Sequence, residues 1–124
     1  MQEEAKQCLR ESFCNAWRGI IWAIGQERNF RFHLGAALVA FLVAWRLHLS
    51  VLEWALIVLA VFLVLVAELF NTAMERVVDL ASQGRYQNLA RVAKDVAAGA
   101  VLLAAIHALV VGILIFGSKI MDIV

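Results

Sequence analysis

The sequence predicts an all-α integral membrane protein, with an amphipathic surface helix followed by three transmembrane helices. Hydrophobic residues make up 64% of the 124 residues, the mean hydropathy is +0.83, and proline is absent. A soluble domain typically carries about 45–50% apolar residues, so a buried soluble bundle is the weaker alternative. The length indicates a single domain. A net charge of +1, without a basic run, argues against a nucleic-acid partner.

Residues 1–25 are predicted to form the surface helix. Apolar residues recur at three- and four-residue steps from Leu9 to Ile24, and basic residues interrupt them. A helix with an aromatic apolar face and basic polar positions usually lies in the membrane interface. Gly25 is expected to end this helix, and Gln26 to Arg31 to form a short polar link.

Three apolar segments follow, and we predict spanning helices over residues 32–49, 51–81 and 89–116. About 20 apolar residues cross a hydrocarbon core, so the first span is short. The second segment has no proline or glycine, and its helix would be roughly 45 Å long. It should therefore protrude from the bilayer by several turns, as should the start of the third. Residues 82–86 are predicted to form a loop, and small residues in the third segment allow close helix packing.

The basic residues predict the orientation. Arg46 and Lys119 are the basic residues on one predicted side of the membrane. The other side carries Lys6, Arg10, Arg18, Arg28, Arg31, Arg76, Arg85, Arg91 and Lys94. By the positive-inside rule, the amino terminus and the second loop are cytoplasmic.

A polar stripe follows directly on the second apolar segment. At 100° per residue, Glu68, Asn71, Thr72, Glu75 and Asp79 fall within about a 100° wedge of one helix. Charge at the edge of a membrane helix is costly and tends to mark function. The stripe therefore predicts an active site at the cytoplasmic interface. The alternative, a solvated helix end, applies chiefly to the last two carboxylates.

A second polar cluster consists of residues 27–29, before the first span, and of Lys94 and Asp95 at the start of the third. Glu27 and Glu75 could share a Mg²⁺ ion, which needs few protein carboxylates besides phosphate oxygens. Lys94 could neutralise phosphate charge, although Lys94 and Asp95 could also be an ordinary surface pair. The three histidines have no metal-ligand partner at helical spacing, and polar packing is predicted for them. Phosphate-binding glycine loops and protein-kinase motifs are absent from the sequence.

Three motifs in order resemble those of the prokaryotic diacylglycerol kinase and undecaprenol kinase family. They are ERNF from residue 27, ELFNTAMERVVD from residue 68 and AKDVAAGA from residue 93. The resemblance extends from about residue 13 to residue 116. His33, Glu53 and Trp54, together with the first and third motifs, are closer to the undecaprenol kinases of Gram-positive bacteria than to the diacylglycerol kinases.

The resemblance implies a homotrimer in the bacterial cell membrane, with active sites composed between subunits. It also implies ATP- and Mg²⁺-dependent phosphorylation of a lipid alcohol at the cytoplasmic interface. The arginine and the aromatic residue of the family's surface helix are replaced by Cys8 and Asn15. By position, Glu68 resembles the general base, Glu27 and Glu75 the Mg²⁺ ligands, Asn71 a further active-site residue, Lys94 and Asp95 nucleotide contacts, and Tyr86 a residue of the ATP-contacting loop.

Undecaprenol, giving undecaprenyl phosphate, is the substrate that the resemblance favours. Diacylglycerol, giving phosphatidic acid, is the alternative within the same reaction. A trimeric ion-conducting protein and a purely structural membrane protein are alternatives of another class. Conduction would need carboxylates along the whole span, and between Val51 and Val66 the only charge is Glu53. A structural role leaves the polar stripe unexplained.

Overall fold

Four α-helices form nearly all of residues 2–122. The computed structural model describes the backbone of residues 2–122 and the side chains of residues 8–122. The helices are α1 (Gln2–Gln26), α2 (Arg28–Arg46), α3 (Val51–Ser82) and α4 (Asn88–Met121). The predicted all-α fold is confirmed. Met1 and the side chain of Lys6, which the predicted surface helix and orientation included, lie outside the described part.

The junction between α1 and α2 is tighter than predicted. Glu27 is the single residue between the helices, with φ −100° and ψ 111°, and Gly25 lies within α1. The last carbonyls of a helix lack partners inside it. Here the Arg31 guanidinium donates to the carbonyls of Gly25 and Ile24 at 3.0 and 3.4 Å. The predicted polar link from Gln26 to Arg31 is therefore wrong, because a side chain of α2 satisfies the end of α1.

A capping box starts α3. The backbone N–H of Glu53 donates to the Ser50 hydroxyl at 3.3 Å, and the Ser50 N–H donates to the Glu53 carboxylate at 2.7 Å. This reciprocal pair satisfies donors that the first turn leaves free. The same carboxylate lies 3.2 Å from Nζ of Lys119 in the last turn of α4. One glutamate thus caps α3 and joins it to α4.

Replacing Ser50 with alanine should destabilise the fold by about 1 kcal/mol, because the first turn of α3 then loses its side-chain acceptor. The measurement is the denaturation midpoint of the purified protein in detergent micelles, followed by circular dichroism. Ser50→Thr keeps the hydroxyl and is the matched control. An alanine variant with the midpoint of the threonine variant would show that the capping box contributes nothing.

Helices α3 and α4 are long and apolar enough to cross a membrane, and they are the two in the described residues that meet this criterion. They have 32 and 34 residues, or about 48 and 51 Å at 1.5 Å per residue. Only 22% and 11% of their most apolar segments is buried within the chain. Soluble core helices are mostly buried, so these faces suit contact with lipid or other helices. Helix α2, with 19 residues, stays a predicted span.

Helix α3 lies between its neighbours and packs on both α2 and α4. At the end that carries Ser50, a small core is formed by Ala44, Ile57 and Ile115, with the Phe41 and Trp54 rings 6.1 Å apart beside it. At the other end, α3 stops where Gln83 and Gly84 take left-handed backbone conformations, with φ of 53° and 70°. The chain then turns into α4. We call this second end, where α1, the start of α2, the end of α3 and the start of α4 meet, the charged end.

Candidate active site

Glu68 is the buried carboxylate of the charged end. It lies at the point where the apolar part of α3 gives way to polar residues, and the whole residue is only 3% exposed. Nε2 of His33, in the second turn of α2, lies 3.1 Å from Oε1 of Glu68. Burying a carboxylate is costly unless it is paired. The contact with α2 supplies that pairing in a mostly apolar setting.

Asn71 and Glu75 continue the polar face of α3 beyond Glu68. The Asn71 amide donates to Oε1 of Glu75 at 3.1 Å. Oδ1 of Asn71 is buried and has no hydrogen-bond partner among the described residues. Buried polar atoms are nearly always paired, and an exception calls for an explanation. The acceptor capacity of this oxygen is therefore unused, and Thr72 beside it is buried.

Glu27 joins three helices at the same end. Its Oε1 lies 2.8 Å from the Arg76 guanidinium of α3, and that guanidinium stacks 5.1 Å from the ring centre of Trp22 in α1. The carboxylates of Glu27 and Glu75 are both close enough to repel that of Glu68. Two acidic groups of α3 and one from the junction between α1 and α2 therefore share one electrostatic neighbourhood.

Lys94 faces α3. Its Nζ lies 2.6 Å from Oδ1 of Asp79. The side chains of the ion pair are 37% and 53% exposed, which leaves both accessible to a soluble ligand. Asp95 is exposed, and Tyr86 is 81% exposed in the loop before α4. Neither makes a side-chain hydrogen bond within the described part of the chain.

An apolar groove of about 620 Å³ leads away from the site between α2, α3 and α4. His33 and Phe32 lie at one end of it and Phe116 at the other, and small residues such as Ala37 and Gly112 line it between them. His33 therefore touches both the groove and Glu68. A long apolar molecule in the groove would bring a polar end to the buried carboxylate.

The model of the family described as prokaryotic diacylglycerol kinase matches residues 14–116. The chain belongs to this family. Among its relatives, it is 48% identical over 104 residues to the diacylglycerol kinase of Synechocystis sp., covering 84% of this chain and 59% of that protein. It is 41% identical over 109 residues to the undecaprenol kinase of Bacillus subtilis, covering 88% of each. The diacylglycerol kinase of Escherichia coli is 35% identical over 95 residues, 77% of each chain.

Membership of the prokaryotic diacylglycerol kinase family confirms the predicted family and the predicted class of enzyme, a lipid kinase. A kinase family implies ATP as phosphoryl donor. The names of these relatives give two lipid substrates, diacylglycerol and undecaprenol, and the sequence motifs had left the same two open. The chain spans less than two thirds of the Synechocystis relative and most of the Bacillus subtilis one.

The donor atoms of the charged end fit a kinase that binds Mg²⁺ together with its nucleotide. Among the described residues, no three acidic, histidine or cysteine side chains converge as a closed metal site. Mg²⁺ is usually held by one or two carboxylates plus phosphate oxygens and water. Glu27, Glu75 and the unpartnered Oδ1 of Asn71 are oxygen donors of the required kind.

Sequence reasoning missed three residues of this site: His33, Arg76 and Trp22. Polar packing was predicted for His33, and its Nε2 does lie against Oε1 of Glu68, but this partner was not predicted. A signal existed, because His33 opens one apolar segment and Glu68 closes the next. Antiparallel neighbouring helices bring such positions to the same depth. For Arg76 and Trp22 the sequence offered no comparable signal, since their contact depends on how α1 lies across the end of α3.

Proposed function

We propose that this protein transfers the γ-phosphoryl group of ATP, with Mg²⁺, to the hydroxyl of a membrane lipid alcohol, and that the alcohol is undecaprenol. The position of Glu68 carries the proposal. It is a buried carboxylate beside a groove suited to an apolar chain, with two further carboxylates nearby. An ion path would need charge along the whole of α3, and a structural role would not require buried acid.

The choice of undecaprenol is supported by the relative named undecaprenol kinase, which matches this chain over 88% of both lengths. The groove between α2, α3 and α4 has little polarity apart from His33 at its end, which suits a hydrocarbon chain such as a polyprenol. Diacylglycerol is the second candidate. The higher identity to a protein named diacylglycerol kinase, 48%, favours it.

In the proposed reaction, the lipid hydroxyl oxygen attacks the γ-phosphorus of ATP in line with the bond to the β-phosphate oxygen. That bond breaks and ADP leaves. Glu68 orients the hydroxyl and accepts its proton. Burial of this carboxylate keeps competing water away from the hydroxyl. Because phosphoryl transfer depends mainly on positioning and charge stabilisation, the arrangement of these groups accounts for most of the expected rate enhancement.

The other charged residues would hold the donor. Glu27 and Glu75, with Asn71 beside them, would hold the Mg²⁺, which when bound neutralises charge on the phosphoryl oxygens. Lys94 and Asp95 would contact the nucleotide, and Tyr86 would reach it from the loop before α4. In binding ATP, Arg76 would leave Glu27 for a phosphate, and Lys94 would leave Asp79. Both ion pairs are partly exposed, and such pairs are weak, so little opposes this exchange.

We further propose that the domain, residues 1–124, lies in the bacterial cell membrane as a homotrimer with α2, α3 and α4 as spans. The amino terminus and active site would be cytoplasmic. Exposed large apolar side chains on all three helices support contact with lipid and with other subunits. The exposed aromatic residues Phe13 and Trp17 of α1 support placement of that helix in the interface. Active sites shared between subunits follow from the family resemblance.

Lys94→Gln should raise the KM for MgATP roughly tenfold, because an ammonium contact to phosphate is worth about 1.5–3 kcal/mol and every 1.4 kcal/mol is tenfold. The measurement is the initial rate against ATP concentration at saturating Mg²⁺. Arg91→Gln, one turn earlier on α4 with its guanidinium near Asn88, is the matched control. Equal KM values for the two variants would remove Lys94 from the nucleotide site.

The acceptor is tested with purified protein in mixed micelles containing either undecaprenol or diacylglycerol, with radiolabelled ATP. We expect labelled undecaprenyl phosphate to form with a kcat/KM well above that for diacylglycerol. The reverse ranking would assign the protein to the second candidate function. Without Mg²⁺-dependent labelling of any lipid alcohol, the kinase proposal itself would fail.

A further inference from the structure

His33 is the side chain that contacts the buried Glu68 carboxylate. The two residues come from different helices and are 35 positions apart in sequence, and their Nε2 and Oε1 atoms lie 3.1 Å apart. The Glu68 side chain is 5% exposed and that of His33 21%. Among the described side chains, His33 alone forms a hydrogen bond or ion pair with this carboxylate. The imidazole thus lies between the buried Glu68 carboxylate and the apolar groove.

The surroundings make this contact more than ordinary packing. Glu27 and Glu75 both repel the Glu68 carboxylate, so its favourable partner is the imidazole. A glutamate side chain has several rotatable bonds and, when buried with like charges near it, would turn away unless it is held. The imidazole ring lies edge-on to that of Phe32, with centroids 5.5 Å apart and planes at 79°.

The contact also makes the two oxygens of the Glu68 carboxylate different from each other. His33 engages Oε1, which leaves Oε2 of Glu68 without a partner among the described residues. His33 also lines the apolar groove, so the groove leads to the residue that contacts this carboxylate. A hydroxyl delivered along the groove would meet the free oxygen of a carboxylate whose orientation is already set.

We propose that His33 is a positioning residue that fixes the Glu68 carboxylate through Nε2–H, so that the free oxygen accepts the proton of the lipid hydroxyl. This inference rests on the proposed function. His33 does not touch the reacting atoms and acts through Glu68. The proton stays on Glu68 during phosphoryl transfer, and His33 keeps its Nε2 hydrogen throughout.

The test compares three substitutions at one position. His33→Ala should lower kcat roughly 10- to 100-fold, the usual cost of a lost orienting partner or a misplacement of about 1 Å, with both KM values within about twofold of wild type. His33→Gln places an amide nitrogen where Nε2 lies and should restore most of kcat. His33→Asn places it where Nδ1 lies and should not. His107→Ala, an exposed histidine on α4, is the control and should behave like wild type.

A second measurement identifies Glu68 as the group through which His33 acts. Glu68→Asp withdraws the carboxylate by one methylene, so the contact with His33 is already lost. Adding His33→Ala to Glu68→Asp should therefore lower the residual kcat by less than about threefold, because the effects of two contacting residues do not add.

Several results would overturn the proposal. An alanine variant with wild-type kcat would do so, as would a glutamine variant as slow as the alanine variant, which would mean that the imidazole itself is needed. Equal activities of the glutamine and asparagine variants would reduce the role to filling space, even if the alanine variant fails to fold. If wild type phosphorylates no lipid alcohol, the proposed function fails instead, and the inference fails with it.

Discussion

Glu68→Gln should lower kcat by roughly 100- to 10,000-fold, the range that a general base contributes, while MgATP binding stays unchanged. Glutamine has nearly the same size, and its amide oxygen still accepts from Nε2 of His33. The buried site between α2 and α3 should therefore keep its shape. The amide cannot take the proton of the attacking hydroxyl, so kcat should fall while the affinity for MgATP stays the same.

Two measurements separate these effects. Initial rates with labelled ATP and undecaprenol give kcat, and titration with a fluorescent ATP analogue gives nucleotide affinity. Glu53→Gln is the matched control, a carboxylate on the same helix at the opposite end. Glutamine at that position can still complete the capping box with Ser50, so the variant should fold and remain active. A Glu68→Gln protein within a few-fold of wild type would show that another group accepts the proton.

Glu75→Gln should instead raise the Mg²⁺ concentration for half-maximal rate roughly tenfold, equivalent to about 1.4 kcal/mol. A neutral amide oxygen attracts a small dication less than a carboxylate does, and Glu27 alone would supply the negative charge. The amide oxygen can still accept from Asn71, whose bond to Glu75 is 3.1 Å long. At saturating Mg²⁺ the rate should largely recover, in contrast to Glu68→Gln.

Activity is followed against free Mg²⁺ at fixed MgATP, with Glu53→Gln again as the control. A readout independent of turnover is the binding of Mn²⁺ in the presence of ADP, detected by electron paramagnetic resonance, which should weaken by a similar factor. If neither curve moves while kcat falls, Glu75 belongs to the catalytic step and is not a metal ligand. The two glutamates, seven residues apart on α3, are thus distinguished by which parameter changes.

The loop between α3 and α4 shows what local sequence can predict. The predicted loop over residues 82–86 corresponds to the break between Ser82 and Asn88, because Gly84 favours the left-handed backbone there. The shared face of Glu68 and Asn71 was also predictable, since helical spacing alone places them together. The start of α2 was not, because it depends on the Arg31 side chain reaching back to α1.

By itself, the sequence determined that the chain is helical and strongly apolar, that α3 is too long for a simple span, and that a polar stripe follows its apolar part. Its motifs also determined the family. These properties are local, since each depends on residues within a few turns of one another. Only the tertiary structure decided that His33 contacts Glu68, that Lys94 pairs with Asp79, and that Arg76 joins Glu27 to Trp22. These contacts depend on how far each helix is shifted along its neighbours and how it is rotated about its own axis. No single segment of the sequence determines that arrangement.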